Sequence, residues 1–410
     1  MCNKYEAARQ VIFDLRDLAM LTSNEKGAQR VAWSPVWDDA NAWFKEKMEA
    51  EGAEIFVDSA CNIWGKIAGE SEDAILVGSH LDSVPDGGWL DGALGVAAGL
   101  GAARRYGCHG IKPKKTLYIV SWADEEGARF GRSCIGSSAA SGTLNSKEIA
   151  QLLDNKGCSF SNVLRRYDRQ VEDFSKAKKE FQSRKLKAYL ELHIEQAPIL
   201  ENQHRAAACV YGITGCKRQY ITFQGQASHA GAPISMRHDA FLAAAEAALA
   251  FREIGKQYDA YCTIGKVKVF PDVVTIFPGT CQISLDQRSI DADVLELISA
   301  KAHAAAEQAA LNNGVKVQFE PVWSIKPVLF DANLKELCEQ AVAAETGEMF
   351  SMYSGPLHDA AEMANILPSI MMFAMSCKGL SHCKEENTPD NELILAITAF
   401  LNMVDMVINR

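Results

Sequence analysis

Residues 74–82 read Ala-Ile-Leu-Val-Gly-Ser-His-Leu-Asp, an apolar run that ends in small residues, an imidazole and a carboxylate. Consecutive aliphatic residues are typical of a buried β-strand, so His80 and Asp82 lie at the carboxyl end of that strand. The same arrangement recurs at residues 116–126, where a strand leads into Asp-Glu-Glu, and at residues 188–196, where a strand leads into His-Ile-Glu-Gln. Strands of this kind that alternate with helices predict an α/β sheet with functional residues at the strand ends.

The order of the predicted elements divides the chain into two domains. The α/β region also shows helical apolar spacing at residues 5–20, 36–50 and 92–104. Farther along, the elements follow the order β-α-β-β-α-β, with predicted bounds 218–224, 237–254, 264–270, 280–285, 292–311 and 315–320. This order is a split-βαβ sandwich, which folds as a domain of its own. We therefore predict a site-bearing domain at residues 1–212 and 329–410, interrupted by an inserted lid domain at residues 213–328.

Composition and charge exclude several classes of protein. The formal net charge of −10 over 410 residues argues against a nucleic-acid partner, which requires a basic face. No segment approaches the uninterrupted apolar run of a membrane span, and the N-terminus lacks the pattern of a signal peptide. The 12 cysteines are spread singly without a C-x-x-C pair, which favours free thiols in a reducing compartment. We expect a cytoplasmic globular protein without a membrane or nucleic-acid partner.

Five short segments carry the residue types of a metal centre, at residues 78–82, 89–92, 124–127, 192–196 and 380–382. They offer imidazoles, a carboxylate able to bridge two ions and a further carboxylate free to act as a base, which together predict a two-metal hydrolase. Asp82 stands two residues after His80 and can hydrogen-bond the far nitrogen of its ring. Simpler explanations stay open for single segments, because residues 85–88 are typical of a turn and residues 124–126 of a solvated acidic loop.

Two further histidines stand in settings that indicate catalysis. His229 lies in Ala-Ser-His-Ala-Gly within the inserted domain, and His358 lies in Ser-Gly-Pro-Leu-His-Asp after it. Each can donate a hydrogen bond to the oxyanion that develops when a carbonyl carbon is attacked.

These motifs resemble those of the hydantoinase/carbamoylase family of amidases, a branch of the two-metal aminoacylases and exopeptidases. The family contains N-carbamoyl-L-amino-acid hydrolases, allantoate amidohydrolase and yeast-type β-ureidopropionase. The resemblance runs almost end to end and is most specific in Glu-Glu-Gly-Ala-Arg-Phe at residues 125–130 and His-Ile-Glu-Gln at residues 193–196. It is also carried by residues 80–82, 90–92, 229–231, 286–288 and 381–382.

The resemblance implies a fold and a metal centre. The fold is a metal-dependent exopeptidase-type catalytic domain, a mixed central sheet flanked by helices, with an inserted β-α-β-β-α-β domain that serves as lid and dimerisation surface. The metals would be two divalent ions per subunit, Zn²⁺ or Mn²⁺, with Co²⁺ or Ni²⁺ as alternatives. Their ligands would be His80, Asp91, Glu126, His193 and His382, with Asp91 as the bridge.

The resemblance also implies catalytic and substrate-binding residues. Glu125 would be the general base, and His229 would reach the active site of a partner subunit in a homodimer. The full catalytic set would be Glu125, Asp82, His229 and His358. The substrate would be held by Gln196, His358, Arg288, Thr275, Gly355 and Lys217, with Arg288 taking its carboxylate.

The chain departs from the family pattern at several positions. Thr275 stands where the family usually has Asn, Ala197 where it has Gly, and Pro-Leu at residues 356–357 where it has Ala-Gly. Residues 215–217 read Gly-Cys-Lys in place of Gly-Gln-Arg, and the segment 229–237 is one residue short. All the implied metal ligands are kept, so the changes fall where substrate would be contacted.

The most specific function implied is hydrolysis of a linear C–N bond in an N-carbamoyl-L-amino acid or related ureido compound. The products would be an amino acid, ammonia and carbon dioxide. Three alternatives stay open: an allantoate amidohydrolase, an aminoacylase or dipeptidase acting on N-acyl-amino acids, and an inactive homologue that only binds a small molecule. We also expect a homodimer built through the inserted domain, because a split-βαβ sheet has an edge strand that can pair with its copy.

Overall fold

The computed structural model describes residues 3–107 and 112–410. The chain divides into two compact units: unit 1 comprises Met1–Tyr211 and Phe330–Arg410, and unit 2 comprises Gly212–Leu329. The segments that enter and leave unit 2 pair with each other, Val328 with Ile213 and Leu329 with Gly212. The second unit is therefore an insertion in the first.

Unit 1 is an α/β structure, as predicted. Its helices are α1 Lys4–Thr22, α2 Pro35–Ala50, α3 Ala93–Tyr106, α4 Ile135–Ser141, α5 Ser146–Ile149, α6 Phe160–Leu164, α7 Phe174–Gln182, α8 Ile199–Asn202, α11 Ala332–Thr346, α12 Asp359–Ala364 and α13 Asp390–Ile408. Its strands are β1 Ser23–Asn24, β2 Gly27–Ala28, β3 Glu54–Val57, β4 Ile63–Ile67, β5 Ser71–His80, β6 Lys115–Trp122, β7 Leu186–Ile194, β8 Ala207–Ile213, β17 Ser351–Ser354 and β18 Ser369–Ala374.

The central sheet of unit 1 is mixed, with the order β8-β18-β7-β5-β6-β4-β3 and with β17 also paired to β8. The four middle strands β18, β7, β5 and β6 are parallel, and antiparallel strands flank them on both sides. In β5 every residue from Ala74 to His80 is buried, which explains its uninterrupted aliphatic run. The carboxyl ends of the four parallel strands consequently meet along one edge of the sheet, where α/β proteins bind their ligands.

Helix α3 packs close against this sheet because of its glycines. A Cβ on Gly95 would lie 2.5 Å from the main-chain oxygen of Leu192 and 2.6 Å from Cβ of Ser79. Gly92 precedes the helix with φ 63°, and a Cβ there would lie 2.4 Å from the ring of His80. Glycine is therefore required at both positions for the helix to start directly beside His80.

Helix α13 is an exception to the expectation that no segment resembles a membrane span. It is long and apolar enough to cross a membrane by length and composition, although 61% of its apolar window is buried inside the protein. It packs against α1 and α11 of unit 1. Its apolar composition is accounted for by its place in the core.

Unit 2 follows the predicted β-α-β-β-α-β order with additional short pieces. Its elements are β9 Gly215–Gln224, β10 Ser228–His229, α9 Ala240–Gln257, β11 Tyr261–Thr263, β12 Val267–Phe270, β13 Ile276–Phe277, β14 Thr280–Ser289, α10 Ala292–Asn312, β15 Lys316–Ile325 and β16 Val328–Leu329. Its main sheet is antiparallel with the order β11-β14-β9-β15, and β12 also pairs with β14. The strand predicted at 264–270 begins only at Val267, because the N–H groups of Gly265 and Lys266 donate to Ser284 Oγ.

Candidate metal centre

The predicted ligands of unit 1 lie together at the carboxyl edge of its parallel strands. His80 ends β5, His193 stands at the end of β7, and Glu125 and Glu126 follow β6. His382 lies in the loop that follows β18. Asp91 stands between β5 and α3, and its carboxylate is at the centre of the group.

The two carboxylate oxygens of Asp91 face two different groups of residues. Oδ1 lies 3.2 Å from Nε2 of His193 and 3.7 Å from Nε2 of His80. Oδ2 lies 3.2 Å from Nε2 of His382, which in turn lies 3.4 Å from Oε2 of Glu126. The arrangement forms two sets of donors that share one carboxylate: His80, Asp91 and His193, and Asp91, Glu126 and His382. Each set offers the N and O ligands that divalent ions accept.

Main-chain oxygens fix the tautomers of the two buried histidines. Nδ1 of His80 donates to the main-chain oxygen of Asp82 at 3.0 Å, and Nδ1 of His193 donates to the main-chain oxygen of Ile194 at 2.9 Å. In the neutral ring Nε2 then carries the lone pair. At both histidines that lone pair faces the Asp91 carboxylate, which is also an acceptor. A cation between the ring nitrogen and the carboxylate would satisfy both.

Two buried atoms support this fit. Among the described residues, Glu126 Oε1 has no hydrogen-bond partner although it is shielded from solvent, and His193 Nε2 has none when its ring is neutral. Buried polar atoms without a partner are rare because they cost free energy. Both atoms belong to the two donor sets, so the residues present fit a pair of metal ions.

Asp82 makes contacts beyond the predicted one with His80. The hydrogen bond to Nδ1 of His80 comes from its main-chain oxygen, while its Oδ1 lies 3.6 Å from that nitrogen. The carboxylate instead accepts the main-chain N–H groups of Glu125 at 3.2 Å and Glu126 at 3.1 Å. Asp82 therefore orients the acidic segment as well as the imidazole. Sequence spacing indicated the proximity of Asp82 to His80 but not this second contact.

Burial and neighbouring charges raise the pKa values of Glu125 and Glu126. Burial raises the pKa of Glu125 well above its ordinary value, and the carboxylates of Asp359 and Glu126 add to the effect. Burial and the charge of Asp91 raise the pKa of Glu126 to about 7. Oε2 of Glu125 lies 3.7 Å from Nε2 of His80, so this carboxylate stands beside the centre.

The His382 side of the centre is more open than the His193 side. The side chain of His382 is 48% exposed, whereas His80 and His193 are each 1% exposed. Its hydrogen bond to Asp91 raises the pKa of His382 to about 9. Gln196 closes part of this side, since its Nε2 donates to Asp91 Oδ2 at 2.9 Å and to Ser381 Oγ at 3.1 Å.

Glu386 is a site residue that the motifs did not indicate. It is 2% exposed, and its Oε1 accepts the main-chain N–H groups of Leu90 at 2.9 Å and Asp91 at 3.0 Å. Its Oε2 lies 2.9 Å from Ser381 Oγ. Glu386 thus connects the loop that carries Asp91 with the loop that carries His382. A Glu four residues after a loop His has no sequence signal that separates it from a surface carboxylate.

His358 packs directly behind His193. The two ring centroids are 4.3 Å apart, and His358 is 2% exposed. Burial, together with the neighbouring His193, lowers the pKa of His358 well below its ordinary value, so the ring is neutral. Its Nε2 lies 3.0 Å from Ser354 Oγ. Gly355 beside it leaves open space, because a Cβ there would meet no atom within 4 Å among the described residues.

The predicted site residues of unit 2 make contacts within their own unit. Arg288 donates through Nε to Asp286 at 2.9 Å, and Lys217 pairs with Glu296 at 2.5 Å. His229 is exposed, and its Nδ1 accepts the N–H of Gly231 at 3.0 Å. Thr275 is also exposed, and its main-chain oxygen accepts from Ala230.

Comparison with known proteins places the chain in a family. The sequence profile of Peptidase family M20/M25/M40 matches residues 76–406. The chain belongs to this family. It is 34% identical to an N-carbamoyl-L-amino acid amidohydrolase of Geobacillus stearothermophilus, with 88% of each chain covered. It is 30% identical to an allantoate amidohydrolase of Bacillus subtilis (strain 168), with 93% of each covered.

A solved member of the family shares the whole fold. The crystal structure of an amidase of the hydantoinase/carbamoylase family from Burkholderia multivorans has a TM-score of 0.91 at 27% identity, with 98% of each chain covered. The predicted resemblance and fold class are confirmed. The amidohydrolase prediction is confirmed at the level of the family and its named relatives.

Proposed function

We propose that the chain hydrolyses the ureido C–N bond of an N-carbamoyl-L-amino acid or a related ureido compound, and releases the amino acid, ammonia and carbon dioxide. The observation that carries the proposal is the bridging position of Asp91, whose two oxygens face separate histidines beside the buried Glu125. The named amidohydrolase relatives support this choice of bond.

We propose that the two donor sets hold two divalent ions, with His80 and His193 on one side of Asp91 and Glu126 and His382 on the other. Zn²⁺ and Mn²⁺ suit such mixed N and O ligands, as do Co²⁺ and Ni²⁺. Ions in this position supply Lewis acidity, which lowers the pKa of water and polarises the carbonyl group of the substrate.

Glu125 is the proposed general base. It stands beside the centre without belonging to either donor set, so its carboxylate is available to accept a proton from water. Burial raises its pKa, so the carboxylate holds more readily a proton that it accepts from water. The same group then returns the proton to the leaving amine.

Residues of both units are proposed to contact the substrate. In unit 1, Gln196 presents its amide beside Asp91, and Gly355 leaves open space next to His358. In unit 2, Arg288 has the planar guanidinium that binds a carboxylate through two hydrogen bonds. Thr275 and Lys217 complete the proposed contacts, and His229 is the proposed donor to the oxyanion.

Allantoate is the second candidate substrate, because a relative named allantoate amidohydrolase covers 93% of the chain at 30% identity. A panel of N-carbamoyl-L-amino acids, allantoate and N-acetyl-amino acids, with ammonia and amino acid measured separately, distinguishes the candidates. Ammonia release from a carbamoyl or ureido substrate is the expected result. Turnover of N-acetyl-amino acids alone would contradict the proposal and identify an aminoacylase.

We also propose that the enzyme is a homodimer joined through unit 2. Unit 2 exposes several large apolar side chains, at Ile234, Met236, Phe241, Leu242, Leu249, Phe270 and Val274. Exposed apolar surface is typical of interaction sites, and the edges of the antiparallel sheet can pair with a second copy. Analytical ultracentrifugation should show a dimer, and the double substitution Phe241→Asp with Leu249→Asp should shift it to a monomer.

A reducing compartment remains the proposed location. Ten cysteines within residues 3–107 and 112–410 are free thiols. Free thiols in such number are typical of cytoplasmic proteins.

A further inference from the structure

Cys134 occupies a special place beside the acidic segment that follows β6. It is fully buried and adopts a left-handed backbone conformation, with φ 55° and ψ 39°. This conformation is uncommon for residues other than Gly, Asn and Asp. Its Sγ lies 3.8 Å from Oε1 of Glu125.

The main chain holds Cys134 opposite Glu125. The N–H of Cys134 donates to the main-chain oxygen of Glu125 at 2.8 Å, and the N–H of Ile135 donates to that of Asp124 at 3.1 Å. A third bond joins Gly136 to Ala123 at 2.8 Å. Three consecutive bonds therefore fix the register between residues 123–125 and 134–136. Cys134 is bonded to Glu125 through its main-chain N–H, and its thiol lies beside the Glu125 carboxylate.

The contact has the chemistry of a hydrogen bond from sulfur. Burial and the charge of Glu125 raise the pKa of the Cys134 thiol well above its ordinary value, so sulfur keeps its proton. Among the described residues, no other side chain donates a hydrogen bond to Oε1 of Glu125. The terminal torsion of a Glu side chain is broad, so a donor on one oxygen restricts where the other oxygen points. That other oxygen, Oε2, is the one beside His80.

We propose that Cys134 is a positioning residue for the general base. Its thiol holds Oε1 of Glu125 and keeps Oε2 directed towards the metal centre. A thiol is a weak donor, so it orients the carboxylate without strongly favouring its charged form. This inference rests on the proposed role of Glu125 as the base.

The test compares three variants of the full-length, metal-loaded enzyme. Cys134→Ala removes the donor, Cys134→Ser keeps a donor on a shorter side chain, and Cys338→Ala is the control. Cys338 is equally buried, but its Sγ contacts the main-chain oxygen of Met371. We expect Cys134→Ala to lower kcat about tenfold to a hundredfold, as for a misplaced catalytic group, with KM and bound metal unchanged. Cys134→Ser should restore most of kcat, and the control should match the wild type.

A double-substitution cycle separates positioning from packing. Glu125→Asp draws the carboxylate back from the thiol, so Cys134→Ala should add little further loss in that background. Unchanged kcat in Cys134→Ala would overturn the inference, and so would an equal fold loss of kcat in the wild-type and Glu125→Asp backgrounds. Neither outcome would change the role of Glu125 as the base. Loss of metal or of thermal stability together with kcat would also overturn it, because it would show a packing role. Wild-type turnover in Glu125→Gln would show that Glu125 is not the base, and the inference about Cys134 would fail with it.

Discussion

The two units present their predicted site residues in opposite ways. In unit 1, His80, Asp91 and His193 are at most 3% exposed and are held by hydrogen bonds and by each other. In unit 2, His229 and Thr275 are exposed. The inner residues of the centre in unit 1 are therefore organised before substrate arrives, whereas His229 and Thr275 of unit 2 are open to solvent.

This difference indicates a division of work. Preorganised donors and bases are what the chemical step requires, and the implied metal ligands and base of unit 1 are kept. The departures from the family pattern occur in both units, at Ala197 and 356–357 in unit 1 and at Thr275 and 215–217 in unit 2. We infer that unit 1 determines the reaction and that residues of both units determine the substrate preference.

The largest expected effect is on the base in unit 1. Glu125→Gln keeps the shape of the side chain but cannot accept a proton, so turnover should fall by ~10²–10⁴-fold or more. Bound metal, measured by mass spectrometry, should stay at the wild-type level. Glu126→Gln is the matched control and should lose metal. If the two variants exchange these results, the assignments of base and ligand are reversed.

A mixing experiment tests whether unit 2 acts across a dimer. His229→Ala chains and Glu125→Gln chains, each inactive alone, should regain activity when their subunits exchange. Random pairing gives about one competent site in four, because one site of each mixed dimer has both residues. Exchange shown by a mass-tagged subunit without any return of activity would place His229 within its own chain or outside catalysis.

Arg288 tests recognition by unit 2 directly. Arg288→Lys keeps the charge but loses the planar fork, and we expect KM for a carboxylate-bearing substrate to rise about tenfold or more. Arg252→Lys is a suitable control, since Arg252 pairs with Glu253 on the surface of the same unit. The rise should vanish for a substrate amide that lacks the carboxylate. An equal response to both substrates would show that Arg288 does not bind the substrate carboxylate.

A smaller effect is expected from Glu386, which supports the centre without belonging to it. Glu386→Gln loses charge-assisted bonds to the loop that carries Asp91, so metal affinity should fall about tenfold. Competition with a chelator measures this change. Glu385→Gln, a neighbour on the exposed surface, should leave the affinity unchanged. Equal affinities in both variants would show that Asp91 is held without Glu386.

The sequence predicted the elements that have strong local signals. The strand at residues 74–80 and the ligands at strand ends follow from aliphatic runs and parallel topology. Glu386 could not be predicted, because its burial results from the folding of two distant loops around it. Arg288 pairs with Asp286 because both side chains leave the same face of β14. The later start of the strand predicted at 264–270 depends on a side-chain oxygen from another strand.

The most direct test of the account is reconstitution of the metal-free enzyme. Chelation should abolish ammonia release from an N-carbamoyl-L-amino acid, and stepwise addition of Mn²⁺ or Zn²⁺ should restore it. Bound metal measured in the same samples should reach two ions per chain when activity is full. Full turnover in protein shown to be free of metal would contradict the account.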